Sequence, residues 1–139
     1  MSDSEFPAII EGRGDLATFL RVNKTTVDAA LNDAGTLLFR DFDVPDAHAF
    51  DAAVSGYGEA GFTYAESLSN AVRVNVTERV FTANEAPPST TIYLHHEMAQ
   101  TPIYPSHLLF FCEKVIHYIG HFCAFIVKLP MYAYIARLL

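Results

Sequence analysis

The distribution of charged side chains divides this chain into two parts with different compositions. All 16 acidic residues lie before residue 115, whereas residues 115–139 contain only two basic side chains besides histidine, Lys128 and Arg137. Composition that changes this abruptly marks a boundary in a small protein. The sequence therefore predicts one domain over residues 1–114 and a separate apolar tail over residues 115–139.

The tail has no regular amphipathic pattern. Of its 25 residues 19 are apolar, no period of two or 3.6 persists, and Pro130 interrupts any helix. This pattern is typical of an intron read as coding, a frameshift or an alternative last exon, and we expect exposed apolar surface and self-association through the tail. The alternative is a membrane anchor, although the uncharged run before Lys128 is shorter than the ~20 residues that cross a bilayer.

Composition limits the classes of function that remain. A length of 139 residues with 51% hydrophobic content suits one domain with a real core, and a net charge of -7 argues against nucleic-acid binding. Cys112 and Cys123 lack metal-ligand spacing, and the acidic first residues do not resemble a signal peptide. We therefore expect a cytoplasmic protein that does not bind nucleic acid.

Capping signals and apolar spacing predict two helices in the first half of the chain. A threonine at position 25 or 26 can cap a short helix that ends at Gly35, where glycine tolerates the left-handed conformation. A second helix starts after Pro45 and Asp46 and precedes Gly56 and Gly58.

Runs of β-branched, aromatic and other apolar residues predict the strands. They are residues 36–42, 72–77, 91–97 and 107–113, of which the last reads as a buried strand. The fold class predicted from these elements is α+β, mainly β, with the helices towards the N-terminus.

The segment TIYLHHE (residues 91–97) contains the candidate chemical site. Side chains two apart on a strand point to the same face, so His95 and Glu97 lie together while His96 faces the other way. One imidazole and one carboxylate make two thirds of the two-His, one-carboxylate triad that binds non-haem Fe(II). A bare His-x-Glu is common by chance, so the alternative is an ordinary hydrogen-bonded or surface pair.

A longer stretch around this pair resembles a known family. The run RVFTANEAPPSTTIYLHHEMAQTPIYPSHLLFFCEK (residues 79–114) is similar to the clavaminate synthase-like branch of the taurine dioxygenase family of Fe(II)/2-oxoglutarate-dependent oxygenases. Upstream, AGTLLFRDFDVPDAHAF (residues 34–50) resembles the entry segment of that family, with Asp41 where glycine is usual. The resemblance covers roughly residues 27–114.

The resemblance implies a fold, a cofactor set and a class of substrate. The fold would be part of a double-stranded β-helix (jelly-roll), with His95 and Glu97 as two ligands of Fe(II), 2-oxoglutarate as cosubstrate and a small molecule as substrate. Asn84, Glu85 and Met98 would lie near the pocket mouth, or alternatively serve only to pack the loop.

The resemblance stops after the FFCE strand. The family continues with a Gly-Gly-x-Thr turn, a distal iron-binding histidine and an arginine for the cosubstrate, whereas His117, His121 and Arg137 stand in sequence that does not match it. The prediction is a truncated dioxygenase, inactive as this chain. The alternatives are a non-catalytic remnant or a tail-anchored interaction protein, and His121 as a substitute distal ligand.

Overall fold

The computed structural model describes residues 6–58, 61, 73–82, 87, 89–91 and 105–112, together with the backbone of residues 123–128. In these residues the chain forms strand β1 (Ala8–Glu11), helix α1 (Leu16–Ala34), strand β2 (Thr36–Arg40), helix α2 (Ala47–Tyr57), strand β3 (His107–Phe111) and strand β4 (Cys123–Lys128). The architecture is therefore a mixture of helices and strands.

The four strands form one sheet in the order β1-β2-β4-β3. β1 is parallel to β2, with Ala8 opposite Leu37, and β4 runs antiparallel to both of its neighbours. The last of the described strands, β4, thus lies between β2 and β3. Since β4 belongs to residues 115–139, the apolar tail contributes an inner strand, which its irregular pattern did not predict.

Helix α1 starts earlier than the sequence predicts. Its N-cap is Asp15, whose carboxylate accepts hydrogen bonds from the backbone N–H groups of Ala17 and Thr18. The threonines at 25 and 26 lie inside the helix, so that start was wrong. The predicted end is confirmed, because Gly35 has a left-handed φ of 73° and donates its N–H to the carbonyl of Leu31.

An apolar stripe explains why α1 extends back to Leu16. Leu16 and Leu20 are only 2% and 1% exposed and continue the buried face of Val27 and Leu31 towards the N-terminus. The helix is kinked between the two halves of this stripe, at Asn23, whose backbone is non-helical and whose side-chain amide donates to the carbonyl of Phe19 over 2.9 Å. Asparagine competes with helical hydrogen bonding in this way, so the kink has a local cause.

Helix α2 forms where the sequence predicts it, but one of its glycines has another role. Asp46 is the N-cap and Gly58, with a φ of 83°, is the C-cap. Gly56 does not end the helix. A Cβ at this position would lie 2.5 Å from the backbone oxygen of Ala17, so Gly56 lies directly against the backbone of α1. Its missing side chain permits helix packing rather than chain reversal.

The other strand predictions have mixed outcomes. Residues 36–42 and 107–113 contain β2 and β3, which confirms both strands, although β3 is half-buried along its length rather than buried. Residues 73–82 contain an isolated bridge between Asn75 and Phe81 and no extended strand, so the strand predicted at 72–77 was wrong there. Of residues 91–97, all but Thr91 lie outside the described residues.

The core lies between the helices and one face of the sheet. Leu37 and Phe39 of β2 are 0% and 2% exposed and pack with the apolar faces of α1 and α2. Phe19, Phe39 and Phe42 form an aromatic cluster, with 4.9 Å between the ring centres of Phe19 and Phe42. Phe111 stacks on Phe50 at 5.3 Å, which brings β3 onto the same helix layer.

The predicted mixture of helices and strands is present in the described part of the chain. The predicted excess of strands over helices is not found there. There α1 and α2 have 19 and 11 residues, whereas the strands have four to six residues each. The four described strands do not by themselves establish a double-stranded β-helix.

Candidate functional site

His95 and Glu97 lie outside the described residues, so the structure defines the flanks of the candidate site. Thr91 precedes the segment and is exposed, and Pro105 follows it, two residues before β3 begins at His107. Both flanks lead into parts of the fold whose packing is described. Asn84, Glu85, Met98, His117 and His121 also lie outside the described residues.

The segment before the site is attached to helix α2. Val80 is 8% exposed and belongs to the core, and Arg79 beside it donates to the carboxylate of Asp51 on α2 over 2.8 Å. The hydroxyl of Thr77 accepts the N–H groups of Arg79 and Val80, which closes a tight turn. The position of Arg79 and Val80, ahead of the candidate site, is therefore fixed by burial, by an ion pair and by hydrogen bonds to the Thr77 hydroxyl.

The segment after the site is attached through His107. The ring of His107 meets Tyr57 of α2 edge to face, with 5.8 Å between ring centres, and its Nδ1 lies 2.9 Å from the hydroxyl of Ser106. Tyr57 is 1% exposed, and its hydroxyl donates to Asp28 of α1 over 2.8 Å. The start of β3 is thus packed against a polar link between the two helices.

Asp28 is the centre of that link. Burial would raise the pKa of its carboxyl group, but the hydrogen bonds from Tyr57 and Lys24, with the charge of Lys24, outweigh this and hold the pKa below its ordinary value. Lys24 Nζ lies 3.2 Å from Asp28 and 4.1 Å from the centre of the Tyr57 ring. Because Lys24 and Asp28 are more than a third exposed, their ion pair contributes little to the stability of the fold. The hydrogen bond from the buried Tyr57 is therefore the contact that links the two helices at this point.

Sequence reasoning missed this cluster. Asp28 and Tyr57 are 29 positions apart, and each looks like an ordinary helix residue. The i, i+4 spacing of Lys24 and Asp28 was a visible signal, although it indicates only a helical surface pair. Nothing in the sequence indicates that His107 meets them.

The structure also contains an open depression of about 740 Å³ at the carboxyl ends of β1 and β2. It is lined by Glu11, Gly12, Arg13, Gly14, Asp41 and Asp43. Three carboxylates against one guanidinium do not suit a dicarboxylate such as 2-oxoglutarate, because like charges repel. Within the described residues, no three His, Cys, Asp or Glu side chains are grouped to hold a metal ion. We assign no cofactor to this depression.

Asp41 at the rim of the depression has an unusual backbone. Its φ is 64°, in the left-handed region that glycine adopts most readily. This conformation suits the glycine that is usual at this point of the resembled entry segment, since glycine adopts a positive φ without steric cost. Aspartate is among the residues that tolerate it best.

In the part of the chain that the structure describes, we find no helix with the length and apolar character needed to cross a membrane.

Comparison with protein families assigns the class. Residues 4–116 match the model of the family described as taurine catabolism dioxygenase TauD, TfdA family. The chain belongs to this dioxygenase family, as the His-x-Glu segment and its surroundings predict. The matched region includes His95 and Glu97 and ends five residues after β3.

Two curated relatives show how much of such a protein the chain represents. It is 42% identical over 94 residues to a clavaminate synthase-like protein of Arabidopsis thaliana, in an alignment that covers 68% of this chain and 28% of the relative. It is 31% identical over 88 residues to the dapdiamide synthesis protein DdaC of Enterobacter agglomerans, covering 63% of this chain and 26% of that protein. The chain therefore spans about a quarter of the length of these relatives.

Proposed function

We propose that this chain carries part of the iron site of an Fe(II)/2-oxoglutarate-dependent dioxygenase, with His95 and Glu97 as two of the metal ligands. The observation that supports this most directly is the family match over residues 4–116, which contains both residues in a His-x-Glu pattern. An imidazole and a carboxylate are the donor types that a non-haem Fe(II) site uses. When bound, iron with 2-oxoglutarate would supply the activation of O2 for substrate oxidation.

The described residues on either side of the His95–Glu97 segment support a role for the fold in positioning these two ligands. The turn around Val80 is attached to α2, and His107 is packed against Tyr57, so the segment between them is tethered at both ends to one helix layer. Ligands must be held in a defined geometry to bind a metal well. From the sequence alternation, we propose that residues 91–97 form a strand of a partial jelly-roll, on which His95 and Glu97 share a face.

We propose a small molecule as the substrate. The names of both relatives, clavaminate synthase-like and dapdiamide synthesis, refer to small-molecule chemistry. Association through the apolar tail and a cytoplasmic location stay predictions from composition.

We further propose that the 139-residue chain does not turn over 2-oxoglutarate by itself. Residues 115–139 contain no stretch similar to the distal histidine or arginine segments of the resembled family. A carboxylate cosubstrate without its arginine would lose the charge-assisted hydrogen bonds that hold it. The second candidate function, a non-catalytic binding or dimerising product, rests on the same observation.

Metal binding tests the ligand assignment. Anaerobic calorimetric titration with Fe(II), or with Co(II) as a redox-silent substitute, should show weak binding that His95→Ala and Glu97→Ala each reduce at least about tenfold. His96→Ala is the matched control, because its side chain faces the other way on a strand, and it should retain binding. An equal loss in His96→Ala would contradict the shared face of His95 and Glu97.

Turnover separates the two candidate functions. Succinate formation from 2-oxoglutarate should not exceed that of free iron with the full chain. Succinate formation that depends on Glu97 would refute the inactive chain and exclude the non-catalytic alternative, and His117 and His121 would then be the next ligands to replace.

A further inference from the structure

The sheet register, continued by one residue beyond β3, would place the two cysteines of this chain opposite each other. In the antiparallel pair of β3 and β4, Phe111 is opposite Ala124, and the register moves one residue along each strand in opposite directions. The paired region ends there; continued by one position, the register would bring Cys112, directly after β3, opposite Cys123, the first residue of β4. On its other side Cys123 is paired with Arg40 of β2, which sets its backbone position.

The continued register would give the two cysteines the backbone geometry that a disulfide requires. Directly opposite residues in antiparallel strands have Cα atoms about 4.5–5.5 Å apart and share one face of the sheet. Disulfides join residues whose Cα atoms are usually about 4.4–6.8 Å apart. A bond at this position would therefore need no large movement of either strand.

Cys112 is also accessible to an oxidant. Leu109 and Phe111 pack against the helix layer, so the alternation of a strand directs position 112 to the opposite face of the sheet. The Cys112 side chain is exposed. Accessible thiols in a reducing compartment are the ones that respond to a change in redox conditions.

We propose that Cys112 and Cys123 form a reversible intrachain disulfide when the protein meets a peroxide. One hydrogen peroxide oxidises the two thiols: the S–S bond forms, both S–H bonds break, the O–O bond breaks, and two waters leave. The bond closes a short loop and joins the inner strand β4 covalently to β3. The sequence pattern alone gave these cysteines no pairing, and the inference does not depend on iron at His95 and Glu97.

The experiment uses the full chain treated with hydrogen peroxide at several low protein concentrations. Digestion without reduction, followed by mass spectrometry, should yield one crosslinked peptide joining Cys112 and Cys123, two hydrogens lighter than the reduced pair. The yield should not depend on protein concentration and should fall to zero after dithiothreitol. The disulfide should raise the melting temperature by about 5–15 °C relative to the reduced chain.

Two variants test the register. Cys112→Ser should abolish both the crosslink and the shift in melting temperature. Cys112→Ser combined with Ser106→Cys moves one thiol to the other end of β3, on an exposed residue, and should give no link to Cys123. Crosslinking of this control as readily as the natural pair would overturn the proposal.

Two further results would also overturn it. One is a disulfide that forms mainly between chains, with a yield that rises with protein concentration. The other is oxidation of Cys112 to sulfinic acid without a crosslink to Cys123.

Discussion

The tripeptide Leu-Leu-Phe occurs in both β2 and β3, and the two copies have different environments. In β2, Leu37, Leu38 and Phe39 are 0%, 4% and 2% exposed, whereas every residue of β3 is half-buried. β2 lies inside the sheet between β1 and β4, and β3 is the last strand of the described sheet. Position in the sheet, rather than composition, therefore decides how much apolar surface each copy buries.

Different positions of the tripeptide face the helices in the two strands. In β2 the outer two residues, Leu37 and Phe39, belong to the core cluster, whereas in β3 the middle residue, Leu109, packs against it. A shift of one residue exchanges the two faces of a strand. Because all three residues are apolar, the tripeptide itself does not specify which face is buried. The contrast indicates that the β1–α1–β2–α2 region is the stable part and that β3 depends on its neighbours.

Removing β4 is expected to have the largest effect on stability, because both β2 and β3 pair with it. Deletion after Lys114 takes away the partner of both β2 and β3 and leaves their backbone groups unpaired on that side. We expect the cooperative transition in thermal denaturation by circular dichroism to be lost. Deletion after Pro130 keeps β4 and is the matched control.

A cooperative melt of the Lys114 deletion at the temperature of the full chain would show that β4 contributes no stability. The tail would then be the dispensable apolar segment that its composition predicts.

Truncation of one leucine in each strand compares the two environments directly. Leu37→Ala should lower the free energy of unfolding by about 3–5 kcal/mol, because it opens a cavity in a fully buried site. Leu109→Ala should cost only about 1–2 kcal/mol, since that side chain is half-buried and its surroundings can relax. Urea denaturation measures both. Equal losses would mean that β3 is buried as deeply as β2.

A substitution at the contact between the two helices should change stability by a smaller amount. The sign of that change tests whether the helices approach closely at Gly56. Glycine to alanine inside an exposed helix is usually stabilising by about 0.5–1 kcal/mol. Gly56→Ala should instead destabilise by about 1–3 kcal/mol, because the new Cβ meets the backbone oxygen of Ala17. Ser55→Ala on the exposed side of α2 is the control and should change stability by less than about 0.5 kcal/mol. A stabilising Gly56→Ala would contradict the close approach of α1 and α2.

The smallest effect concerns the link between the two regions through Tyr57. Tyr57→Phe removes the hydrogen bond to Asp28, should raise the pKa of that carboxyl, and should cost about 1 kcal/mol at neutral pH. Since the folded protein lowers this pKa below 3.8, the stabilisation is complete above that value and is lost as the pH falls below it.

Melting curves of wild type and Tyr57→Phe should therefore converge in acid. NMR titration of the Asp28 carboxyl checks the change in pKa. A difference in stability that persists unchanged at low pH would assign it to packing of the ring instead.

Features that depend on neighbouring residues could be predicted from the sequence. The cap of α2 at Asp46, the left-handed stop at Gly35 and the strands β2 and β3 follow from local preferences of a few residues. The family also follows from the sequence, because His95, Glu97 and their flanks form a contiguous pattern, and residues 4–116 match the family model. Asp15 as the cap of α1 was missed, because the threonines at 25 and 26 offer the same capping chemistry.

Only the tertiary structure decided the relations between distant segments. It places β4 between β2 and β3, makes Gly56 a contact between helices and joins Asp28, Tyr57 and His107 in one cluster. It also pairs Cys123 of β4 with Arg40 of β2. The physical reason is that local hydrogen bonding and chain stiffness specify helices, caps and turns, whereas strand partners and buried faces are chosen by burial shared among residues far apart in sequence.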